Sequence, residues 1–215
     1  MKLPILIINF KTYETAVGDK ALELARTIKK VADDTGVNFA VAAAATDLKE
    51  LSDIGVPILA QHVDPCSFGS NTGHILPEMV KDKGAIGTLL NHSENRLDPE
   101  QIKESIRRCK ETGIETIVCA QDAAEGKKLA EFGPDMIAVE PPELIGKMSV
   151  SKARPEVISE SVGMIHGTVL VGAGVVDAGD VRKAIELGAK GCLLASGVTK
   201  AQDPEKVLRD LASGI

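Results

Sequence analysis

The chain has 215 residues, 44% of them apolar, with a formal net charge of −6; that length fits one well-buried core, and no linker-like stretch divides it, so residues 1–215 are expected to form a single domain. The acidic balance, with one Tyr and no Trp, argues against wholesale nucleic-acid binding, which relies on a basic face and stacking platforms. No stretch approaches the roughly 18 to 20 uninterrupted apolar residues of a membrane span, which excludes a transmembrane helix.

Met1-Lys2-Leu3-Pro4 runs straight into an apolar strand, without the apolar region and small-residue cleavage site of a signal peptide, so a cytoplasmic location is expected. Short β-branched or apolar runs then recur in order: Ile5–Phe10, Asn38–Ala43, Pro57–Gln61, Ala85–Leu90, Glu115–Cys119, Met136–Val139, Thr168–Gly172 and Gly191–Ala195. Amphipathic helical stretches separate them, which is the alternation of a parallel sheet. Several of those stretches open with helix-start chemistry. Asp98-Pro99-Glu100-Gln101 offers an N-cap, a proline at the first helical position and a capping-box glutamine; Asp122 and Glu125 have capping-box spacing, and Asp203-Pro204-Glu205 repeats the cap and proline. Eight βα units at roughly 25 to 27 residues each fit a closed (β/α)8 barrel better than an open doubly wound sheet. The chain is short against the ~250 residues typical of that barrel, so its helices and loops must be trimmed. Cys66, Cys109, Cys119 and Cys192 are far apart with no CxxC pair, which argues against a zinc or redox centre and for free thiols.

Chemistry in such a barrel sits at the C-terminal ends of the strands. The first strand ends in Asn9 and Lys11, the fourth in Asn91-His92-Ser93-Glu94, and the sixth in Glu140, while Gly172-Ala173-Gly174 and Ala195-Ser196-Gly197 follow the seventh and eighth. Only a closed barrel sets the first strand beside the eighth. Glu140 leaves an apolar strand just before Pro141-Pro142, and partial desolvation there would raise its basicity and suit proton abstraction next to a carbonyl. Lys11, drawn to the mouth by the strand before it, could neutralise a phosphate and a developing oxyanion. The small-residue turns let backbone N–H groups approach a phosphate. Taken singly, each feature also fits a bland role: a solvated Glu at a loop start, a packed His, a solvated Lys, a tight turn. His62 and His74 lack metal-cluster spacing and receive no role.

Together, Asn9-Phe10-Lys11, Asn91-His92-Ser93-Glu94 and Val139-Glu140-Pro141-Pro142-Glu143-Leu144-Ile145-Gly146 resemble the three signature segments of the triosephosphate isomerase family, in order and on matching strands. The short length, with Gly172-Ala173-Gly174 and Ala195-Ser196-Gly197-Val198-Thr199-Lys200, is similar to the archaeal branch of that family. The resemblance implies a TIM barrel that interconverts dihydroxyacetone phosphate and D-glyceraldehyde 3-phosphate through an enediolate. It implies Glu140 as base, His92 as electrophile, and Lys11 with Asn9 stabilising the enediolate, with Glu94 orienting the site and Phe10 among the substrate-binding residues. Backbone amides at Ile145 or Gly146, Gly174, Ala195 and Ser196 would hold the phosphate, with no cofactor or metal, and a lid from Pro141 to about Ser151 would close over it.

Two departures stand out. Many members have a serine where this chain has Gly174, so only the amide can serve there, and Lys147-Met148 follow Gly146 where the lid often continues Gly-Thr-Gly. The competing readings are another phosphate-binding barrel, acting on a phosphoribosyl or indole-glycerol phosphate, and a barrel kept as a scaffold. The loop Asp64 to Gly73 is long and carries Phe68. In this family the corresponding loop reaches into a neighbouring subunit, which implies a homodimer or homotetramer.

Overall fold

In the structure, a computed structural model that describes residues 1–141 and 155–215, eight parallel strands close into a barrel in chain order. They are β1 (Ile5–Asn9), β2 (Asn38–Ala43), β3 (Ile58–Ala60), β4 (Gly87–Leu90), β5 (Glu115–Ala120), β6 (Met136–Val139), β7 (Thr168–Val171) and β8 (Gly191–Leu194). Closure is made by β1, which pairs Ile5 with Asn38 of β2 on one side and with Gly191 of β8 on the other. All eight expected strands are present, two with the expected bounds and six with ends shifted by one or two residues.

Both faces of these strands are apolar because both are covered. Ile5, Ile7, Ala40, Ala42, Leu59, Leu89, Ile117, Met136, Ala138, Leu170 and Leu193 fill the barrel interior. The alternate residues, among them Leu6, Ile8, Phe10, Val41, Val118, Ile137 and Val139, pack outward against helix residues such as Leu24, Ile28, Ile106 and Leu208. Each Val, Leu, Ile, Phe or Met among them taken fully out of water contributes about 1.5–3 kcal/mol before entropy is counted. The two-residue period thus assigns every strand position a side, including the positions just past the strand ends.

The helices follow from their apolar stripes and caps. Asp19–Thr35 buries Ala21, Leu24, Ala25, Ile28 and Val31 along one face and stops at Gly36, whose φ of 74° is left-handed. Pro99–Thr112 begins with the full capping box of Asp98 and Gln101 and ends at Gly113 in the same conformation. Asp203 likewise accepts the Lys206 N–H at the start of Pro204–Ala212. The box expected of Asp122 and Glu125 is only half made: Asp122 accepts the Glu125 N–H, but the Glu125 carboxylate takes the Gln121 N–H and Arg96 instead. The trimming is visible in Leu48–Ser52 and Pro77–Asp82, of 5 and 6 residues. No helix among the described residues is long and apolar enough to cross a membrane, and all four cysteines are free.

The loop after β3 is closed at its base by Asp64, whose N–H donates to Ile75 O and whose carboxylate accepts the Ile75 N–H, each at 2.7 Å. His62 and His74 flank the same carboxylate at 3.2 and 3.3 Å, so both belong to this clasp and not to the barrel mouth. At the tip Phe68 is 76% exposed.

Candidate active site

At the C-terminal end of the barrel lies a cleft of about 300 Å³. Side chains of Asn9, Lys11, His92, Glu94 and Glu140 line one side, and the turns at 172–176 and 195–197 line the other. The interior phase of the strands accounts for its membership. Ile5 and Ile7 point inward, so Asn9 does as well; Met136 and Ala138 are followed by Glu140 and Leu170 by Gly172, while Leu59 is followed by Gln61, which supports Lys11 from beside the cleft.

Lys11 sits at φ 50°, a left-handed conformation that costs a side-chain-bearing residue roughly 1–2 kcal/mol. Hydrogen bonds hold it there. The Lys11 N–H donates to Asn9 Oδ1 at 3.0 Å, and Gln61 Nε2 donates to Lys11 O at 3.0 Å, with longer contacts to Ala42 O at 3.3 Å and Asn9 Oδ1 at 3.4 Å. The turn directs the ammonium into the mouth, where it lies 2.8 Å from Glu94 Oε1.

His92 is set by a second left-handed residue, Asn91 at φ 58°. The Asn91 amide donates to Cys119 O at 2.9 Å and accepts the Leu97 N–H at 3.0 Å, so β4, β5 and the loop between them fix the turn. The Glu94 N–H donates to His92 Nδ1 at 3.2 Å. An accepting Nδ1 leaves the ring proton on Nε2, the nitrogen that faces Glu140. Burial first, and then the positive charge of Lys11, hold the imidazole pKa below its ordinary value, against the opposing pull of Glu94. At neutral pH the ring is therefore neutral and donates from Nε2.

Glu140 is buried, and its backbone N–H continues the ladder to Ala120 O at 2.8 Å. Oε2 lies 3.7 Å from His92 Nε2, beyond hydrogen-bond range, and has no hydrogen-bond partner among the described residues. Desolvation raises the carboxyl pKa to about 7, although the Cys119 thiol, which donates a hydrogen bond to it, and the Lys11 charge pull the other way. The carboxylate fits only because residue 172 is glycine: a Cβ there would overlap Glu140 Cγ.

Across the cleft, Gly174 adopts φ 64°, and the short helix Ser196–Thr199 follows β8. The N–H groups of Gly174, Ser196 and Gly197 make no hydrogen bond to another described residue. This rim is joined to the loop after β1 by the Thr15 hydroxyl, which donates to Thr199 O at 2.6 Å, and by Lys200 Nζ, 4.4 Å from the Tyr13 ring centroid.

The structure therefore brings together Asn9, Lys11, His92, Glu94, Glu140, Gly174, Ala195 and Ser196. Phe10 stands apart from these. Its ring is fully buried in the layer between barrel and helices, as the two-residue period requires, so its side chain does not line the cleft. Ile145, Gly146 and the lid from 142 onward lie outside the described residues. Sequence reasoning missed Gln61, Asn91 as a positioning group, and the steric need for Gly172. The inward phase of the third and seventh strands was the available signal for Gln61 and Gly172.

A sequence model of the family described as triosephosphate isomerase matches residues 4–212. The chain is 47% identical over 224 residues to a triosephosphate isomerase of Methanopyrus kandleri, covering 100% of this chain and 99% of that protein. It is 46% identical to a triosephosphate isomerase of Saccharolobus solfataricus, over 98% of this chain and 95% of the other. The crystal structure of triosephosphate isomerase from Bartonella henselae matches with a TM-score of 0.73 at 20% identity, over 95% of this chain and 97% of that one, a likeness of fold.

Proposed function

The chain belongs to the triosephosphate isomerase family, and from that premise we propose how its residues divide the work of the reaction. It is an isomerase that interconverts dihydroxyacetone phosphate and D-glyceraldehyde 3-phosphate, a step of glycolysis and gluconeogenesis. The observation that carries the assignment of roles is the buried, unpartnered Glu140 Oε2 facing a neutral His92 Nε2–H at 3.7 Å.

Glu140 removes the proton from the hydroxyl-bearing carbon beside the carbonyl, and the electron pair flows onto the carbonyl oxygen. His92 Nε2–H donates to that oxygen and exchanges protons between the two oxygens as the enediolate forms and collapses. Glu140 then returns a proton to the neighbouring carbon. A carboxyl near pH 7 loses little driving force in either direction. A glutamate base paired with a neutral imidazole is the established pattern of this family.

Lys11 carries positive charge to the developing oxyanion and the phosphate, and Asn9 both donates to the substrate and keeps Lys11 in its turn. Glu94 holds the Lys11 ammonium and, through its N–H, the His92 tautomer. The amides of Gly174, Ala195 and Ser196 hold the phosphate, with those of Ile145 or Gly146 added from the family pattern; Phe10, whose N–H donates to Ala42 O, serves by anchoring the segment between Asn9 and Lys11. A cleft of about 300 Å³ suits a three-carbon phosphate better than a phosphoribosyl or indole-bearing one. No cofactor enters this scheme.

The protein is further proposed to act as one domain, in the cytoplasm, and as a homodimer or homotetramer with the loop carrying Phe68 in the interface. The direct test of the reading is purified protein with D-glyceraldehyde 3-phosphate, coupled to reduction of the dihydroxyacetone phosphate formed. Turnover abolished by Glu140→Gln supports it, and an inactive wild-type protein sinks it.

A further inference from the structure

Two carboxylates are buried among the described residues: Glu140 in the mouth, and Asp180 in the first turn of the helix Ala178–Glu186. The mechanism uses the first and leaves the second without a task. Burying a carboxylate is costly unless hydrogen bonds compensate it, so what Asp180 holds is informative. Its Oδ2 accepts the Val176 N–H at 2.9 Å. Val176 ends the run from Gly172 that lines the cleft and contains Gly174.

This bond is not a helix cap. Asp177 Oδ1 accepts the Asp180 N–H, and Asp210 Oδ2 accepts the Ala178 N–H, each at 3.0 Å, so other carboxylates cap that helix. Asp180 reaches back across the turn instead. The helix that carries it packs on β8, the strand that delivers Ala195 and Ser196, and burial, then the negative charge of Asp180, push the Cys192 thiol of that strand up to about 12. A carboxylate is the strongest acceptor available to a backbone N–H. Where glycine stands at position 174, no side-chain hydroxyl can meet the phosphate, and the path of the backbone alone decides how well an amide does.

We propose that Asp180 is a positioning residue for the phosphate subsite: by holding the Val176 N–H it fixes the turn from Gly172 to Val176, and so presents the Gly174 N–H to the substrate's phosphate. The proposal rests on the reading of that turn as the phosphate subsite.

The test compares wild type with Asp180→Asn and Asp180→Ala on D-glyceraldehyde 3-phosphate, on D-glyceraldehyde, which lacks the phosphate, and in competition with inorganic phosphate. Loss of a charge-assisted bond predicts that Asp180→Ala raises both KM for the phosphorylated substrate and the inhibition constant of phosphate by about tenfold or more, with Asp180→Asn between it and wild type. Turnover of D-glyceraldehyde should stay within about twofold, because no amide to the phosphate is used there. Unchanged phosphate constants in an active, phosphate-inhibited protein overturn the role of Asp180 and spare the site reading. Equal losses on both substrates overturn it as well, since a general structural role does that. A wild type that neither isomerises nor binds inorganic phosphate sinks both readings. Should the variants fail to fold, amide exchange in the wild-type protein decides: Val176 must be protected, and inorganic phosphate must shift the Gly174 resonance. A Val176 amide that exchanges as in an open chain contradicts the proposal.

Discussion

His92 Nε2 and Glu140 Oε2 face each other across the barrel mouth at 3.7 Å, with no hydrogen bond between them. That separation leaves both groups available to a ligand placed between them, the carboxylate to a carbon-bound proton and the imidazole to the adjacent oxygen. Burial moves their two pKa values in opposite directions, Glu140 up and His92 down, because each neutral form is favoured where water is scarce. Lys11 opposes the first shift and reinforces the second.

Replacing Lys11 with Met keeps length and removes charge. The variant should fold, because Gln61 bonds to the Lys11 carbonyl and not to its ammonium. Its kcat/KM should fall by at least about a hundredfold, since the lost charge acts mainly on the transition state. Circular dichroism and steady-state kinetics on one preparation check this. Retention of more than about a tenth of kcat/KM, a loss below ~1.4 kcal/mol, removes Lys11 from its central role.

Glu140 must be ionised to act as a base. With its pKa near 7, kcat/KM should fall about tenfold per pH unit below that value. The substrate's own phosphate titrates about one unit lower, near 6, so the two limbs are separable. Removing the Lys11 charge, which holds the Glu140 pKa down, should move the enzyme's limb upward. A pH profile that stays flat down to 6 contradicts the assignment.

The same shift has a stability consequence. The folded state keeps the Glu140 proton up to about 7, whereas the unfolded chain loses it near the ordinary 4.5. Between those values the folded state binds more protons, so stability falls as pH rises through that window and stays lowered above it. Glu140→Gln should therefore be more stable than wild type by up to about 3 kcal/mol at pH 8, with the difference vanishing near pH 4. Chemical denaturation at the two pH values measures it. A variant less stable than wild type at pH 8 refutes the account of the buried carboxylate.

The loop whose base is clasped by Asp64 presents Phe68 at 76% exposure, as an interface loop would. Light scattering at micromolar concentration should give at least a dimer, and Phe68→Glu should lower the mass and the activity together. A fully active monomer contradicts the proposal.

How far the site could be read from sequence depended on whether the relevant physics was local. Asn9 and Glu140 were legible because a two-residue period, set by Ile5 and Ile7 or by Met136 and Ala138, carries past the strand end. The same period places the Phe10 ring outside the barrel, which the motif Asn9-Phe10-Lys11 by itself does not show. Gln61 was hidden because its amide serves Lys11, 50 residues away in sequence. Gly172 was hidden because the side chain that forbids a Cβ belongs to the neighbouring strand. Glu125 has capping-box spacing, but Gln121 and Arg96 compete for its carboxylate, and only the fold brings Arg96 there.

In the proposed reaction one carboxylate, Glu140, moves the proton between the two carbons. Converting D-glyceraldehyde 3-phosphate in D2O with wild type and Glu140→Gln, and following the product's C1 protons by NMR, tests this. Wild-type product should contain some molecules with solvent deuterium at C1 and others that retain the substrate's proton, as a single base in partial exchange with water requires. Glu140→Gln should slow both isomerisation and exchange by about a thousandfold or more. Carbon-bound deuterium appearing at near wild-type rates in the Glu140→Gln protein would show that another group is the base, and would contradict the account.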